Sequence, residues 1–161
     1  ELVFMVGGEL KAFEAAQAVL AAMGKRFVHM GASGSGATIK LINNMMSGTL
    51  NTVIAEAVTV SEAAGLGPER VMELLAEGAV ASRLSKTKLP KAFKRDFSAQ
   101  FQLGLMEKDL RYFVSLAQEL DCPVPVASVV RNQLHAARRA GLGSLDVSAV
   151  LLQLTGEKPA G

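Results

Sequence analysis

The sequence has 161 residues, about one domain's worth, of which half are hydrophobic and 20% are charged, with a formal net charge of +2. This composition excludes a disordered chain and argues against a dedicated nucleic-acid binder, which normally concentrates basic residues. The single cysteine, Cys122, excludes an internal disulfide or a cysteine zinc cage, so we expect a reducing, cytoplasmic location. No apolar run approaches the ~18–20 residues that span a bilayer, so we expect neither a membrane span nor a signal peptide.

The first 31 residues have the pattern of a strand, a helix and a second strand. The apolar run Leu2–Val6 and a second strand-like segment, Lys25–Met30, are each closed by glycine, and Glu9–Met23 has apolar residues at helical spacing. Two strands alone cannot make a stable doubly wound sheet. We therefore expect residues 1–31 to be the tail of a larger α/β domain, and to be poorly packed or exchanged between protomers.

The pattern becomes helical from Gly36 onwards. Ala37–Ala64 contains no proline and predicts one helix of about 40 Å. Its apolar or small residues recur in steps of three and four, at positions 39, 42, 46, 50, 53, 57, 60 and 64. This stripe is the expected packing face, although Val58 lies off it and indicates cover on more than one side.

Glycine and proline punctuation predicts further helices, at about 69–77, 81–92, 103–120 and 126–140. Asp146 is an N-cap candidate for a last helix ending near Leu154. Residues 32–161 are thus expected to form an all-helical domain. A long apolar helix without its first domain should expose a large patch, which favours a two-fold dimer.

A glycine cluster, formed by Gly31, Gly34 and Gly36, lies between the second strand and the long helix. A P-loop would need lysine where Ala37 stands, and a dinucleotide fingerprint starting at Gly34 would need glycine where Ile39 stands. Two interpretations stay open. The cluster is either a flexible hinge or a place where backbone N–H groups meet an anionic ligand at the start of a helix.

Polar residues follow in the first turns of the same helix. Lys40 and Asn44 are four residues apart, so they share one helix face, and Asn43 lies beside them. Paired asparagines in an apolar helix are costly unless they have partners. A lysine here can accept and return a proton, which is general acid–base chemistry. The alternative is a surface lysine beside capping asparagines.

A basic segment, residues 83–95, has six cationic side chains and no acidic one, at positions 83, 86, 88, 91, 94 and 95. Pro90 interrupts the segment, and it lacks interleaved aromatic residues apart from Phe93, so we expect a solvated helix face or a positive rim and no nucleic-acid partner. His29, His135 and Cys122 are not at metal-ligand spacing, so no metal site is predicted.

Three stretches together resemble the β-hydroxyacid dehydrogenase family, which includes 3-hydroxyisobutyrate dehydrogenase, tartronate semialdehyde reductase, glyoxylate reductases and, more distantly, 6-phosphogluconate dehydrogenase. The stretches are GASGSGATIKLINN at 31–44, FQLGLMEKDL at 101–110 and LGSLDVSA at 142–149. The resemblance implies a mostly α fold: the helical C-terminal domain of a 6-phosphogluconate-dehydrogenase-like protein, at 32–161, with the β-α-β tail of a truncated Rossmann domain at 1–31.

The resemblance also implies a reaction. Lys40 would be the general acid/base for hydride transfer between a small β-hydroxy acid and its semialdehyde, with NAD or NADP as cofactor. Asn44 and Asn43 would hold the substrate, and Phe101 would line its pocket. Lys108, Asp109, Gly34 and Gly36 would be the cofactor-side positions of this chain.

The sequence lacks the family's N-terminal glycine fingerprint and its Ser-Gly-Gly substrate loop. Most of the cofactor site is thus expected in a missing N-terminal domain, and the 161-residue chain alone is expected to be inactive. The resemblance implies a homodimer or tetramer through the helical domain. The alternative is a non-catalytic helical dimerisation or scaffold module related to this family, and Lys40 discriminates the two, since a scaffold has no need of it.

Overall fold

The structure, a computed structural model, describes residues 3–159, apart from the side chain at position 76. The described chain has two strands and seven α-helices. In chain order they are β1 (Val3–Val6), α1 (Leu10–Met23), β2 (Arg26–His29), α2 (Ser35–Ala63), α3 (Pro68–Glu77), α4 (Arg83–Phe93), α5 (Leu103–Glu119), α6 (Pro125–Ala137) and α7 (Val150–Thr155). The mostly α fold and the order of its elements confirm the prediction. No helix among these residues is long and apolar enough to cross a membrane.

The chain divides into two compact units, Glu1–Asn43 and Asn44–Gly161. In the first unit, β1 and β2 pair in parallel and α1 makes the crossover between them. The ring of Phe13 on α1 lies against Phe27 and His29 of β2, with ring centroids 6.1 and 5.1 Å apart. Helix α1 buries none of its side chains completely, in line with the poor packing expected for this segment.

The first turns of α2 pack directly on β1, which places them in the first unit. A Cβ atom at Gly36 would overlap the carbonyl oxygen of Met5 and would lie 3.0 Å from the backbone nitrogen of Gly7. Glycine at position 36 is therefore required by the close approach of two backbones. This contact also explains why the compact unit extends past residue 31, where the sequence pattern changes.

The second unit has its core where α5 and α6 meet, and α7 closes that core. Leu103 and Leu110 of α5, Leu134 of α6 and Leu151 of α7 are all fully buried. Their clustering gives the second unit one apolar centre.

The packing face of α2 differs from the predicted one. Val58, which lies off the predicted stripe, is completely buried, whereas the stripe residues Met46, Val53 and Val60 are exposed. The predicted face was wrong because the buried side of α2 includes polar side chains, among them Asn51 and Thr52.

These buried polar groups bond to their own helix. Asn51 donates from Nδ2 to the carbonyl of Ser47 at 2.9 Å, Thr52 donates to Gly48 at 3.1 Å, and Ser61 donates to Ala57 at 2.7 Å. Such a bond to the carbonyl four residues earlier satisfies the donor without a partner on another element. A hydroxyl group can then face the core at little cost, which a hydrophobic stripe does not show. Asn51 is satisfied only in part, because its Oδ1 is buried without a hydrogen-bond partner among the described residues.

Helix α6 is followed by a π-helical turn, and the helical conformation breaks at Gly141, the stop that the sequence predicts. The α-helix stops at Ala137, and the π-helical turn, Arg138–Leu142, continues the chain to Gly141, whose φ is 88°. Asp146 then caps a short 3₁₀ turn, Val147–Ala149, that leads into α7. The predicted N-cap is confirmed, although the helix it begins is 3₁₀ before it is α.

Lys88 corrects the expectation of a solvated basic face on α4. Its side chain is 5% exposed, and its Nζ lies 2.6 Å from Oδ1 of Asp146, whose side chain is 1% exposed. The other basic residues of the segment follow the expectation better: Lys91 pairs with Asp96 at the surface, and Lys86 is exposed.

Asp146 collects hydrogen bonds from three parts of the chain. Besides Lys88, its carboxylate accepts from the backbone N–H of Gln100 and Phe101, at 2.9 and 3.1 Å, and from the hydroxyl of Ser148 at 2.7 Å. Burial alone would raise the pKa of Asp146, but these donors outweigh it and hold the pKa below its ordinary value.

Removing Lys88 should destabilise the second unit strongly. We expect Lys88→Met to lower the free energy of unfolding by about 3 kcal/mol, because it leaves a buried carboxylate without its cation. Lys91→Met on the same helix is the matched control and should cost less than about 1 kcal/mol, since its pair is partly solvated. Urea titration of both variants measures this, and equal losses would contradict the assigned role of Lys88.

The same pair predicts a dependence on acid. Because the folded pKa of Asp146 lies below the ordinary ~3.9, its stabilisation is present above about pH 4 and is lost as the pH falls through the folded pKa. The difference in unfolding free energy between the wild type and Asp146→Asn should therefore shrink below pH 4. Asp96, with a pKa held at about 2 chiefly by Ser98, titrates in both proteins and cancels. A difference that stays constant down to pH 2 would count against this account.

Candidate functional site

The first turns of α2 carry the predicted catalytic and substrate residues. Lys40 and Asn43 are exposed, and Asn44 is half-buried. The helix begins at Ser35, directly after Gly34, whose φ of 94° is a backbone conformation that favours glycine. The segment therefore presents a lysine and an amide one turn apart on a continuous helix.

Asn44 is held by a buried carboxylate of α5. Its Nδ2 donates to Oδ2 of Asp109 at 2.6 Å, and the side chain of Asp109 is only 5% exposed. The other oxygen of that carboxylate, Oδ1, lies 3.1 Å from Nζ of Lys108. The structure thus brings the predicted residue Asn44 to the predicted pair Lys108 and Asp109, which lies more than sixty positions later in the sequence.

This arrangement fixes an amide and displays a cation. A buried carboxylate that accepts from the amide is a charge-assisted hydrogen bond, which is stronger and shorter than a neutral one and sets the plane of the Asn44 amide. Lys108 keeps 39% of its side chain exposed and lies 5.9 Å from the centre of the Tyr112 ring. An oriented amide and an exposed ammonium group are suited to binding oxygen atoms of a polar ligand.

Phe101 belongs to a different group of contacts. It is half-buried against the core, and its N–H donates to Asp146 while its carbonyl accepts from Val147 at 2.9 Å. The Asp146 turn therefore determines where this ring lies.

The two predicted glycines have different surroundings. Gly36 is packed against β1, so its close backbone contact already accounts for the absence of a side chain. Gly34 has open space where a Cβ would be, so its glycine is required by the positive φ alone. The positive φ of Gly34 is all that the hinge interpretation requires of this residue. Binding of an anion by the backbone N–H groups of the glycine cluster stays a prediction.

Sequence reasoning missed a group of ion pairs around Glu107. The side chain of Glu107 is 5% exposed, and its oxygens lie 3.3 Å from Nδ1 of His135, 3.4 Å from Nε of Arg138 and 4.0 Å from Nε of Arg111. The spacing of Glu107 and Arg111 on one helix was a visible signal, whereas the contribution of α6 was not. Within residues 3–159, no group of three or more His, Cys, Asp or Glu could hold a metal ion.

Known proteins are similar in sequence to this chain over most of its length. The sequence profile described as the NAD-binding domain of NADP-dependent 3-hydroxyisobutyrate dehydrogenase matches residues 34–154. Glyoxylate/succinic semialdehyde reductase 2 of Arabidopsis thaliana is 30% identical over 98% of this chain, and 3-sulfolactaldehyde reductase of Escherichia coli strain K12 is 34% identical over 95%. These alignments cover 44% and 52% of the two relatives.

A solved structure has the same fold. The Mycobacterium tuberculosis 3-hydroxyisobutyrate dehydrogenase, solved with L-serine, superposes with a TM-score of 0.86 at 28% identity. The match covers 94% of this chain and 54% of that one. The chain therefore spans about half the length of the relatives it matches.

The Asn44–Asp109 bond should be measurable as a coupling. In a double-mutant cycle of Asn44→Ala and Asp109→Ala, we expect a coupling energy of about 1.5–3 kcal/mol, the usual contribution of a hydrogen bond to a charged group. Urea titration measures each corner. A parallel cycle with Asp96→Ala, whose partners are Lys91 and Ser98, should be additive within about 0.5 kcal/mol. Additivity in the first cycle would exclude an energetic role for the bond.

Proposed function

Because the chain belongs to the family whose sequence profile is described as the NAD-binding domain of NADP-dependent 3-hydroxyisobutyrate dehydrogenase, we propose that it is the helical part of an NAD(P)-dependent oxidoreductase. The reaction is the interconversion of a small β-hydroxy acid and its semialdehyde. The similarity to enzymes named as semialdehyde and sulfolactaldehyde reductases supports this class of substrate.

One observation carries the proposal: Asn44 is oriented by the buried Asp109, one helical turn after the exposed Lys40. An amide whose plane is fixed can hold a substrate oxygen in one position. A lysine one turn away on the same helix can then reach the proton of the held hydroxyl group. Orientation of the reacting group in this way can account for a large part of the rate enhancement of an enzyme.

Lys40 has the role of general acid and base. In oxidation it takes the proton of the substrate hydroxyl as hydride leaves the same carbon, so that a carbonyl forms. In reduction it returns the proton to the carbonyl oxygen as hydride arrives. The start of α2 carries the positive end of the helix dipole, which favours the carboxylate of a β-hydroxy acid nearby.

NAD(P), when bound, supplies the acceptor or donor of the hydride. The exposed ammonium of Lys108, held by Asp109, is a suitable donor to a polar group of the cofactor. No complete glycine fingerprint for a dinucleotide occurs in the sequence, and Gly36 packs against β1. We therefore assign most of the cofactor's binding to a further α/β domain, with Lys108, Asp109 and Gly34 as this chain's contribution.

The proposed partner is a second copy of the chain. Helix α2 exposes the apolar side chains of Met46, Val53 and Val60, and α6 exposes Val126 and Val129. An apolar cleft of about 330 Å³ lies between these helices. Burial of such a surface against an identical surface would give a two-fold dimer, and two such dimers can associate into a tetramer.

A single substitution tests the catalytic role. In the protein that carries both this chain and its cofactor domain, Lys40→Ala should lower kcat by about 10²–10⁴-fold, the usual contribution of a general acid/base, without changing the melting temperature. The control is Lys86→Ala, another exposed lysine, which should keep full activity. NAD(P)H absorbance with 3-hydroxyisobutyrate, glycerate and serine, and with glyoxylate and succinic semialdehyde in reverse, measures both; the 161-residue chain alone should produce no NAD(P)H.

A second candidate, a non-catalytic helical scaffold, predicts the opposite result. A scaffold would dimerise through the same exposed apolar residues, so an oligomer alone does not discriminate between the two. If Lys40→Ala lowers the melting temperature and leaves the rate unchanged, or if cofactor fails to bind the wild type, the scaffold is favoured.

A further inference from the structure

A second cleft, separate from the apolar one, lies between α5, α6 and the π-helical turn. Its volume is about 330 Å³, and the residues that line it are almost all charged or titratable: Gly104, Glu107, Lys108, Arg111, Arg131, His135 and Arg138. All of them belong to the second unit. We name this the cationic cleft.

The cationic cleft has an excess of positive charge. Four permanent cations line it, against one carboxylate. That carboxylate, Glu107, is buried and already contacts His135, Arg138 and Arg111. Its charge is thus distributed over three neighbours, and Arg131 does not share it.

Arg131 carries the strongest indication of a ligand. Its Nε atom is buried and has no hydrogen-bond partner among the described residues. A buried donor without a partner costs about 1–3 kcal/mol, and more when it is charged. Native structures rarely keep such a group unless an ion, a water molecule or a ligand satisfies it.

We propose that the cationic cleft binds a phosphate group, with Arg131 as its central donor and with Arg111 and Arg138 at its edge. Guanidinium groups match the geometry of phosphate oxygens, and a dianion offsets more of the excess charge than a single carboxylate does. The phosphate is either free inorganic phosphate or the phosphoryl group of a small metabolite. The inference uses neither Lys40 nor Asn44, and it shares with the proposed function only Lys108, which lines the cleft.

The test is ligand-dependent stabilisation of the purified chain. Inorganic phosphate and glycerol 3-phosphate, each compared with sodium chloride at the same ionic strength, should raise the melting temperature of the wild type in a saturable way. Arg131→Gln should weaken the apparent affinity by about tenfold or more. Arg139→Gln is the matched control: it removes the same charge from an exposed residue next to the cleft, and should change the affinity by less than about twofold.

The outcomes separate the alternatives. Tighter binding of glycerol 3-phosphate identifies a metabolite's phosphoryl group, and equal binding identifies a site for the phosphate alone. Without ligand, Arg131→Gln should melt no lower than the wild type, because it removes an unsatisfied buried donor. If that variant does not fold, Arg111→Gln, with a half-exposed side chain, replaces it. Absence of stabilisation by both ligands, or equal losses in the Arg131 and Arg139 variants, would overturn the proposal.

Discussion

The arrangement of the second unit depends on the buried carboxylate of Asp146. It accepts from Lys88 of α4, from the two N–H groups just before α5 and from Ser148 just before α7. Taking an aspartate and a lysine out of water costs several kcal/mol each, and only a complete set of donors repays this. The backbone of Asp146 is held as well, because its N–H donates to the carbonyl of Phe97. Helix α4, the segment before α5 and the turn before α7 are thus fixed with respect to one another by polar contacts as well as by the shared apolar core.

This arrangement links stability to the candidate site. The N–H of Phe101 is one of the donors to Asp146, and α5 begins two residues later with Leu103. Asp109, which orients Asn44, lies further along the same helix. The start of α5 is therefore placed by the Asp146 network and its middle presents the polar side chains. A residue buried in the core thus sets the position of the polar groups of the candidate site.

The sequence predicted the order of helices well because glycine and proline mark most of their ends. It failed where contacts come from different helices. Lys88 looked like one cation in a solvated row, since its partner lies fifty-eight residues away. The packing face of α2 was missed because the hydroxyl groups of Thr52 and Ser61 donate to carbonyl groups of their own helix, which allows them to be buried. In the site, the resemblance predicted Asn44 and Asp109 separately, and only the structure joins them.

The buried face of α2 has a consequence for how this domain can change. Because the donors of Asn51, Thr52 and Ser61 bond within the helix, they carry no information about which element lies opposite, in contrast to Asn44 at the start of the helix. What fixes the neighbour is size: a Cβ at Gly48 would lie 2.9 Å from Leu110 and 3.2 Å from Met106. The side chains opposite Gly48 can therefore be exchanged for others of the same volume without the loss of a hydrogen bond from this part of α2. The constraint that persists at this contact is one of shape and not of polarity.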